Sequence, residues 1–358
     1  MDGRLSARIV SRNYHRCEPR TDKGSHLIPR SLIAAAFFGF LAVIILIVES
    51  GAGEVARAML VIGWGLLPIT LFHVVPLSFS ALSWRELLTA SSPPDVVRII
   101  WIRWIRESIN ALLPVAGVGG DVVSARLAHQ RGVPGVQAAA SMVVDITVGV
   151  ATQMVFVVAG VTLLVIRSSE GIALPIVSAL LIGVAAFAVA IATFVTLQHQ
   201  SMFVMFSNLG SHLAPAKWLS GFAGSASAID DAVVDTYRRG SAFVRANVLR
   251  LAGWTAGAGE IWLVMHFLGR PLNATDAFVL ESLGSGVRAA AFMVPGALGA
   301  LEGGLVLFGA LLGLPADVAL AISLSKRVRE LALGLPGLLV WQWIEGRRLL
   351  RRGEDLAS

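Results

Sequence analysis

Long apolar runs alternate with short polar segments along most of the 358-residue chain. A transmembrane helix needs about 20 predominantly apolar residues, and six runs approach or exceed that length. The pattern therefore predicts an all-α polytopic membrane protein. The predicted spans lie at about residues 31–48, 58–80, 137–166, 174–197, 251–268 and 317–343.

Two stretches break this apolar pattern with Pro, Gly and charged residues. The first is RESINALLPVAGVGGD (Arg106–Asp121), and the second is FVLESLGSGVRAAAFMVPGALGALEGG (Phe278–Gly304). Backbone polar groups that Pro and Gly free at membrane depth must be satisfied by protein or by water in a cavity. We therefore expect both stretches to be broken or re-entrant segments, with about six to eight transmembrane helices in total.

The two broken stretches are related by an offset of 181 residues. The offset carries Pro114 to Pro295 and also matches three charged positions, two of which change sign. Paired segments interrupted by Gly and Pro in corresponding halves are typical of transporter binding sites. We interpret the match as a degenerate internal repeat with halves at about 95–166 and 277–344, the alternative being coincidence in a Gly/Ala-rich chain. The matched charges are Glu107 with Arg288, Asp121 with Glu302 and Asp145 with Lys326.

Basic tails at residues 1–30 and 346–358 flank a single predicted membrane domain at 31–345. The positive-inside rule places both tails in the cytoplasm, which requires an even number of crossings. With six full spans, the first broken stretch enters the membrane from the cytoplasm and the second enters from the opposite side. The repeat is therefore expected to be inverted, as in many transporters.

Composition narrows the functional classes. Hydrophobic residues make up 56% of the chain and charged residues only 15%, which excludes a soluble domain with one anchor. The single cysteine, Cys17, permits no internal disulfide and suggests no metal cluster. The sequence shows neither a nucleophile elbow nor a P-loop, and it lacks the basic-aromatic pattern of a nucleic-acid module. We therefore expect no catalytic residue, metal or cofactor, and no nucleic-acid partner.

Several polar residues inside the predicted spans are candidates for a site. An unpaired Asp in a span costs about 2.5–3.5 kcal/mol on insertion scales, so Asp145 is expected to point into the helix bundle. His73 could act as a proton relay, although packing against another helix is the favoured interpretation. Asp121 suits the N-cap of a helix over Val122–Gln130, and a functional role is equally compatible. Asp95–Glu107 is amphipathic, as in a helix in the headgroup layer, with a plain positive-inside loop as the alternative.

The chain resembles the lysylphosphatidylglycerol synthase transmembrane-region family over about residues 30–345. Within this family it is most similar to the hopanoid-biosynthesis-associated HpnL branch. The resemblance implies a bacterial inner-membrane protein that handles lipid, since the family's membrane region is associated with flipping a modified lipid between leaflets. The soluble aminoacyl-transfer domain of the multidomain members is missing here, so lysyl transfer is not expected. The matching stretches are WIRWIRESINALLPVAGVGGD (Trp101–Asp121), RLAHQRGVP (Arg126–Pro134), ESLGSGVRAAAFMVPGALGALEGG (Glu281–Gly304) and SLSKRVRELALGLPG (Ser323–Gly337).

Three functions fit these observations. The preferred one is a lipid transporter or flippase that acts on anionic phospholipid or hopanoid. The alternatives are a non-catalytic partner or scaffold of lipid-biosynthesis enzymes and a membrane lipid transferase with carboxylate bases. A transporter needs a membrane-open groove that holds the charged pairs, whereas a scaffold buries them in closed contacts. The candidate lipid-binding residues are Arg106, Glu107, Asn110, Gly119, Gly120, Asp121, Arg126, Asp145, Glu281, Arg288, Glu302, Gly303, Lys326, Arg327 and Arg329.

Overall fold

The computed structural model describes residues 52–88, 94–113, 119–167, 216–291 and 297–357, with isolated positions between 178 and 196 and at Val294. The described residues form helices and no strands, which confirms the predicted all-α class. The N-terminal tail, the span at 31–48 and most of the span at 174–197 lie outside these residues. The helices are α1 (Ala52–Ile62), α2 (Leu66–Phe72), α3 (Val74–Leu87), α4 (Val96–Leu112), α5 (Gly119–His129), α6 (Gly135–Arg167), α7 (Ala216–Arg238), α8 (Gly240–Phe267), α9 (Ala274–Ala290), α10 (Ala300–Leu311) and α11 (Ala316–Ala357).

Helices recur along the chain with the same offset of 181 residues. The short helices α5 and α10 begin at Gly119 and Ala300, and the long helices α6 and α11 begin at Gly135 and Ala316. The packing between the halves is reciprocal. Helix α4 of the first half packs against α11 of the second, and α9 of the second packs against α6 of the first. Two three-helix units therefore meet around a common centre.

Local sequence explains where these helices begin and end. Asp95 caps α4 by accepting a hydrogen bond at 2.8 Å from the backbone N–H three residues further on. Asn273 caps α9 in the same way, also at 2.8 Å. Gly132 and Gly313 follow the two short helices with φ of 93° and 75°. Because this left-handed backbone favours glycine, both positions stop their helices locally.

The first described span is broken at two places. A 3-10 turn at Gly63–Gly65 separates α1 from α2, and His73 separates α2 from α3. Both α2 and α3 pack along α8. Gly259 of α8 permits this approach, because a Cβ atom there would lie 2.6 Å from the Phe72 ring. The second break therefore places His73 between closely packed helices.

Helix α4 is a core helix, and the expectation of a helix lying in the headgroup layer was wrong. Its isoleucine face, which includes Ile99, Ile102 and Ile105, is fully buried and packs with α3, α5 and α11. Arg103 and Arg106 adjoin this face on the helix surface and are also buried. The hydrophobic core and a buried polar site thus lie next to each other along α4.

Two described helical segments are long and apolar enough to cross a membrane, namely Met59–Leu87 and Gly135–Arg167. Ala300–Leu311 is a shorter apolar helix. The predicted spans at 251–268 and 317–343 fall almost entirely within α8 and α11. Helix α11 continues to Ala357, so the segment expected to be a C-terminal tail extends the last helix.

Candidate functional site

A cavity of about 410 Å³ lies where the two repeat halves meet. Its wall combines a charged surface with an apolar side formed by Leu280, Leu301 and Leu305. This volume is within the range of about 300–1,000 Å³ that is typical of small-ligand pockets, so it can hold a lipid headgroup. The charged lining residues, together with His73, are Arg103, Glu107, Arg250, Glu260, Glu281, Arg288, Lys326, Arg329 and Glu330.

Five buried charged side chains form the Asp145 group, which consists of Arg103, Arg106, Asp121, Asp145 and Arg250. Arg103 Nη1 lies 2.9 Å and Arg106 Nη1 lies 2.5 Å from Asp145 Oδ2. Arg250 of α8 pairs with Asp145 Oδ1, and Arg106 also pairs with Asp121 of α5. Asp145 is fully buried. One carboxylate of α6 therefore holds three guanidinium groups from α4 and α8.

The second group, the His73 group, consists of His73, Glu107, Glu260 and Arg329. His73 Nδ1 lies 2.6 Å from Glu260 Oε1, and His73 Nε2 lies 3.2 Å from Glu107 Oε2. Arg329 of α11 pairs with Glu260 of α8. Arg103 links the two groups, because its Nε lies 3.4 Å from Glu107 Oε1. The polar network thus reaches from the first repeat half into the second.

Helix α11 carries a third group of charges, which connects it to α9 and α10. Lys326 pairs with Glu281 of α9, and Arg327 Nε lies 3.0 Å from Glu302 Oε1 of α10. Arg288 of α9 reaches a carboxylate of α11 at 2.7 Å. These ion pairs hold α9, α10 and α11 of the second repeat half against one another next to the cavity. The α11 group consists of Glu281, Arg288, Glu302, Lys326, Arg327 and Glu330.

Charges balance across the three groups. Among the described residues that form them, seven Asp or Glu side chains face seven Arg or Lys side chains. The net charge of the three groups is therefore zero when His73 is neutral. Charges inside a low-dielectric interior persist only when they are paired, so an added charge in this cavity needs a compensating partner.

Two hydrogen bonds from a side chain to a backbone carbonyl join the repeat halves at the cavity wall. Trp104 Nε1 of α4 donates a hydrogen bond to Leu333 O of α11 at 2.9 Å. Gln153 Nε2 of α6 donates to Ser285 O of α9 at 3.0 Å. Ser285 occupies the repeat position of Trp104, and Gln153 lies one residue beyond the position equivalent to Leu333. All four residues line the cavity, which places it on the pseudo-symmetric junction of the halves.

Most of the residues predicted for the site from sequence lie at the cavity or directly behind it. Asn110 is one of them, and its Oδ1 also accepts a hydrogen bond from Gly120 N at 2.8 Å. The wall contains Glu107, Asn110, Glu281, Arg288, Lys326 and Arg329. The ion-paired residues behind it are Arg106, Asp121, Asp145, Glu302 and Arg327.

The three predicted glycines lie away from the cavity wall. A Cβ atom at Gly120 would lie 2.4 Å from the carbonyl oxygen of Arg106, so this glycine lets α5 pack tightly on α4. Gly303 has no neighbouring atom within 4 Å of an added Cβ. Gly119 begins α5. None of the three lines the cavity.

Two further predicted residues are placed differently from expectation. Arg126 lies at the surface, where its Nη2 is 2.8 Å from Glu345 Oε1, and it does not line the cavity. Asp121 was expected at a helix N-cap. Helix α5 begins two residues earlier, so Asp121 lies inside the first turn and is buried against Arg106.

Four charged residues of the cavity wall were missed at the sequence level. Arg103 falls in the segment interpreted as a headgroup-layer helix or a positive-inside loop, and Arg250 directly precedes the predicted span at 251–268, yet both are buried within helices. Glu260 and Glu330 interrupt apolar helices. A carboxylate within an apolar helix indicates a candidate site residue, and this pattern could have identified both. The same signal applies to His73, for which packing was the favoured interpretation.

The described residues thus form an all-helical bundle with two apolar helical segments of membrane-spanning length and an internal polar cavity. The family model described as the lysylphosphatidylglycerol synthase TM region matches residues 31–337. The chain therefore belongs to that family and is a lipid-related membrane protein. No curated protein and no solved structure matched the chain.

Proposed function

We propose that the protein moves a polar-headed lipid between the leaflets of a bacterial inner membrane, with both termini in the cytoplasm. An anionic phospholipid or a hopanoid is the proposed substrate. The observation that carries the proposal is the cavity of about 410 Å³, whose wall includes charged side chains from both repeat halves. Because polar groups are costly to bury in hydrocarbon, such a cavity lowers the barrier for a headgroup that crosses the bilayer.

Arg288 is the cation best placed to exchange its partner for a headgroup phosphate. Its side chain is 38% exposed, whereas that of Lys326 is 10% exposed. Its partner Glu330 also contacts Arg327 at 3.1 Å and Arg329 at 3.6 Å. If Arg288 turns toward a phosphate, Glu330 therefore keeps two cationic neighbours. Guanidinium groups form strong, frequently bidentate contacts with phosphate.

A non-catalytic partner or scaffold of lipid-biosynthesis enzymes is the second candidate. Its support is the closed form of the Asp145 group, in which a fully buried carboxylate is surrounded by three arginines. Such a group fixes helices in place whether or not a substrate occupies the cavity. Under either candidate the charged residues carry out no covalent step, and we propose that the chain is not an enzyme.

Lipid exchange in liposomes that contain the purified protein tests the proposal. The probes are fluorescent phosphatidylglycerol and a fluorescent hopanoid, and the variants are Arg288→Gln in the cavity wall and Arg126→Gln at the surface. We expect fast exchange of at least one probe with wild type and with Arg126→Gln. Arg288→Gln, at an equal amount of folded protein, should be slower by about tenfold or more, because a charge-assisted hydrogen bond contributes about 1.5–3 kcal/mol.

No exchange above protein-free liposomes with either probe would contradict the transport proposal and favour the scaffold. Equal rates for Arg288→Gln and Arg126→Gln would show that the headgroup does not pass Arg288.

A further inference from the structure

We propose that His73 binds a proton whose uptake is coupled to the passage of an anionic headgroup through the cavity. This inference rests on the proposed function. The His73 ring lies at the break between α2 and α3 and lines the cavity. Its Nδ1 is 2.6 Å from Glu260 Oε1, and its Nε2 is 3.2 Å from Glu107 Oε2. Both ring nitrogens thus face a carboxylate.

The placement of the His73 ring between two carboxylates accommodates one proton more than a neutral imidazole carries. A neutral imidazole has one N–H group and one lone pair, and an ionised carboxylate only accepts hydrogen bonds. Both contacts of the ring are hydrogen bonds only when the three side chains share an additional proton. In that state His73 donates to both Glu260 and Glu107 and joins α8 to α4. Without the additional proton, one ring nitrogen of His73 directs a lone pair toward an ionised carboxylate.

Arg329 supplies the alternative partner for the ring. Its Nη1 lies 2.9 Å from His73 Nδ1. A guanidinium group can only donate, so this contact is a hydrogen bond only when Nδ1 carries no proton. His73 Nδ1 therefore has two mutually exclusive arrangements, one with Glu260 and one with Arg329. Proton release moves a hydrogen bond from α8 to α11 and changes the contacts between helices that line the cavity.

Other charges around His73 lie on the helices packed about it. Arg103 of α4 is 3.4 Å from Glu107, and Glu330 of α11 is 3.6 Å from Arg329. The charge of Lys326 acts on Glu260, and the charge of Glu281 acts on Arg329. Each of these four groups also forms an ion pair in the structure.

Charge balance links this proton to the substrate. The three charge groups already balance seven acidic with seven basic side chains, so an anionic headgroup brings one uncompensated negative charge into the cavity. A proton on His73 restores neutrality. Headgroup binding and proton uptake must then favour each other, since a coupling between two sites is reciprocal. A zwitterionic headgroup adds no net charge and is not coupled in this way.

Calorimetric titration with short-chain lipids measures the coupling directly. Purified full-length protein in detergent is titrated with dihexanoyl-phosphatidylglycerol or dihexanoyl-phosphatidylcholine, in buffers of different ionisation enthalpy, across about pH 6–9. We expect an uptake that approaches about one proton per bound phosphatidylglycerol and almost none with phosphatidylcholine. The uptake should disappear in His73→Gln and persist in His266→Gln, which removes a histidine that stacks on Trp262 away from the cavity.

The outcomes separate this inference from the proposed function. If phosphatidylglycerol binds without proton uptake across the pH range, the proposed proton site at His73 is wrong, whereas the proposed lipid site is retained. If neither lipid binds, the proposed function fails, and ¹⁵N spectra of histidine-labelled protein test the proton site alone. We expect His73 Nδ1 to change from protonated to unprotonated as pH rises. A ring in one protonation state throughout about pH 5–10 overturns the inference. The comparison of the two lipids uses wild-type protein and does not depend on the folding of a variant.

Discussion

Arg103 Nη1 lies 2.9 Å from the carboxylate of Asp145, although the two residues are 42 positions apart in the chain. Arg106 and Arg250 contact the same fully buried carboxylate. A single acidic side chain of α6 thereby fixes α4 and α8 around the cavity. Asp145 is therefore a partner shared by three buried arginines, and the folded state depends on it.

Asp145→Asn is expected to destabilise the protein by about 3–5 kcal/mol, because removal of one partner leaves buried charges uncompensated. Thermal unfolding of the detergent-solubilised protein measures the loss. Glu86→Gln is the matched control, since it breaks the exposed pair with Arg245 and should change stability by about 1 kcal/mol or less. Similar shifts of the unfolding temperature in the two variants would contradict this account of the Asp145 group.

A second substitution should recover part of that loss. Arg250→Gln in the Asp145→Asn background removes one of the unpaired buried cations, so the double variant is expected to be more stable than Asp145→Asn. Residues that share an ion-pair network typically show coupling energies of about 0.5–3 kcal/mol in a double-mutant cycle. Strict additivity of the two single effects would show that the contact between Arg250 and Asp145 contributes nothing.

The ion pair between Glu281 and Lys326 allows a charge-swap test of the second half. Each single reversal, Glu281→Lys or Lys326→Glu, places like charges of α9 and α11 next to each other at the cavity. Both should lower the unfolding temperature, and the double swap should restore much of it. Lipid exchange should stay below wild type in the double swap, because the cation has moved from α11 to α9. Single reversals that unfold like wild type would rule out a structural role for this pair.

Two glycines of the short helices should respond in opposite ways to alanine. Gly120→Ala places a Cβ atom 2.4 Å from the Arg106 carbonyl oxygen, so α5 must move away from α4. We expect a loss of about 1–3 kcal/mol, as is typical of overpacking. Gly303→Ala meets no atom within 4 Å and should stabilise α10 by up to about 1 kcal/mol. Unfolding temperatures of the two variants test this difference, and a stable Gly120→Ala variant would refute the close approach of α5.

Local features of the fold could be predicted from the sequence because their causes are local. The helical class follows from apolar runs, and the offset of 181 residues between Gly132 and Gly313 relates two real helix ends. The breaks around Pro114 and Pro295 were also visible, although these prolines lie outside the described residues. Gly and Pro themselves favour the ends and breaks of helices, so these positions can be predicted without knowledge of tertiary contacts.

Partners within the site could not be predicted in the same way. Arg250 and Asp145 are 105 positions apart, and both lie within long helices whose rotation is set by packing. The charge of Arg250 fits a cytoplasmic loop as well as a buried ion pair, and only its carboxylate partner decides between the two. The same limit explains α4, where Arg103 faces a polar interior rather than water or lipid phosphate.

Arg103 connects the Asp145 group to the His73 group, and Arg103→Lys tests that connection. Arg103 uses Nη1 for Asp145 and Nε for Glu107, whereas a lysine presents a single ammonium group that cannot reproduce this fork. We expect the variant to remain folded, because the positive charge next to Asp145 is kept. Lipid exchange should nevertheless fall severalfold, since Glu107 loses its contact with Arg103 and thereby its link to the Asp145 group. Arg98→Lys, on the exposed side of the same helix, is the control and should exchange lipid like wild type. If Arg103→Lys matches that control in exchange rate, the Asp145 group and the His73 group act independently.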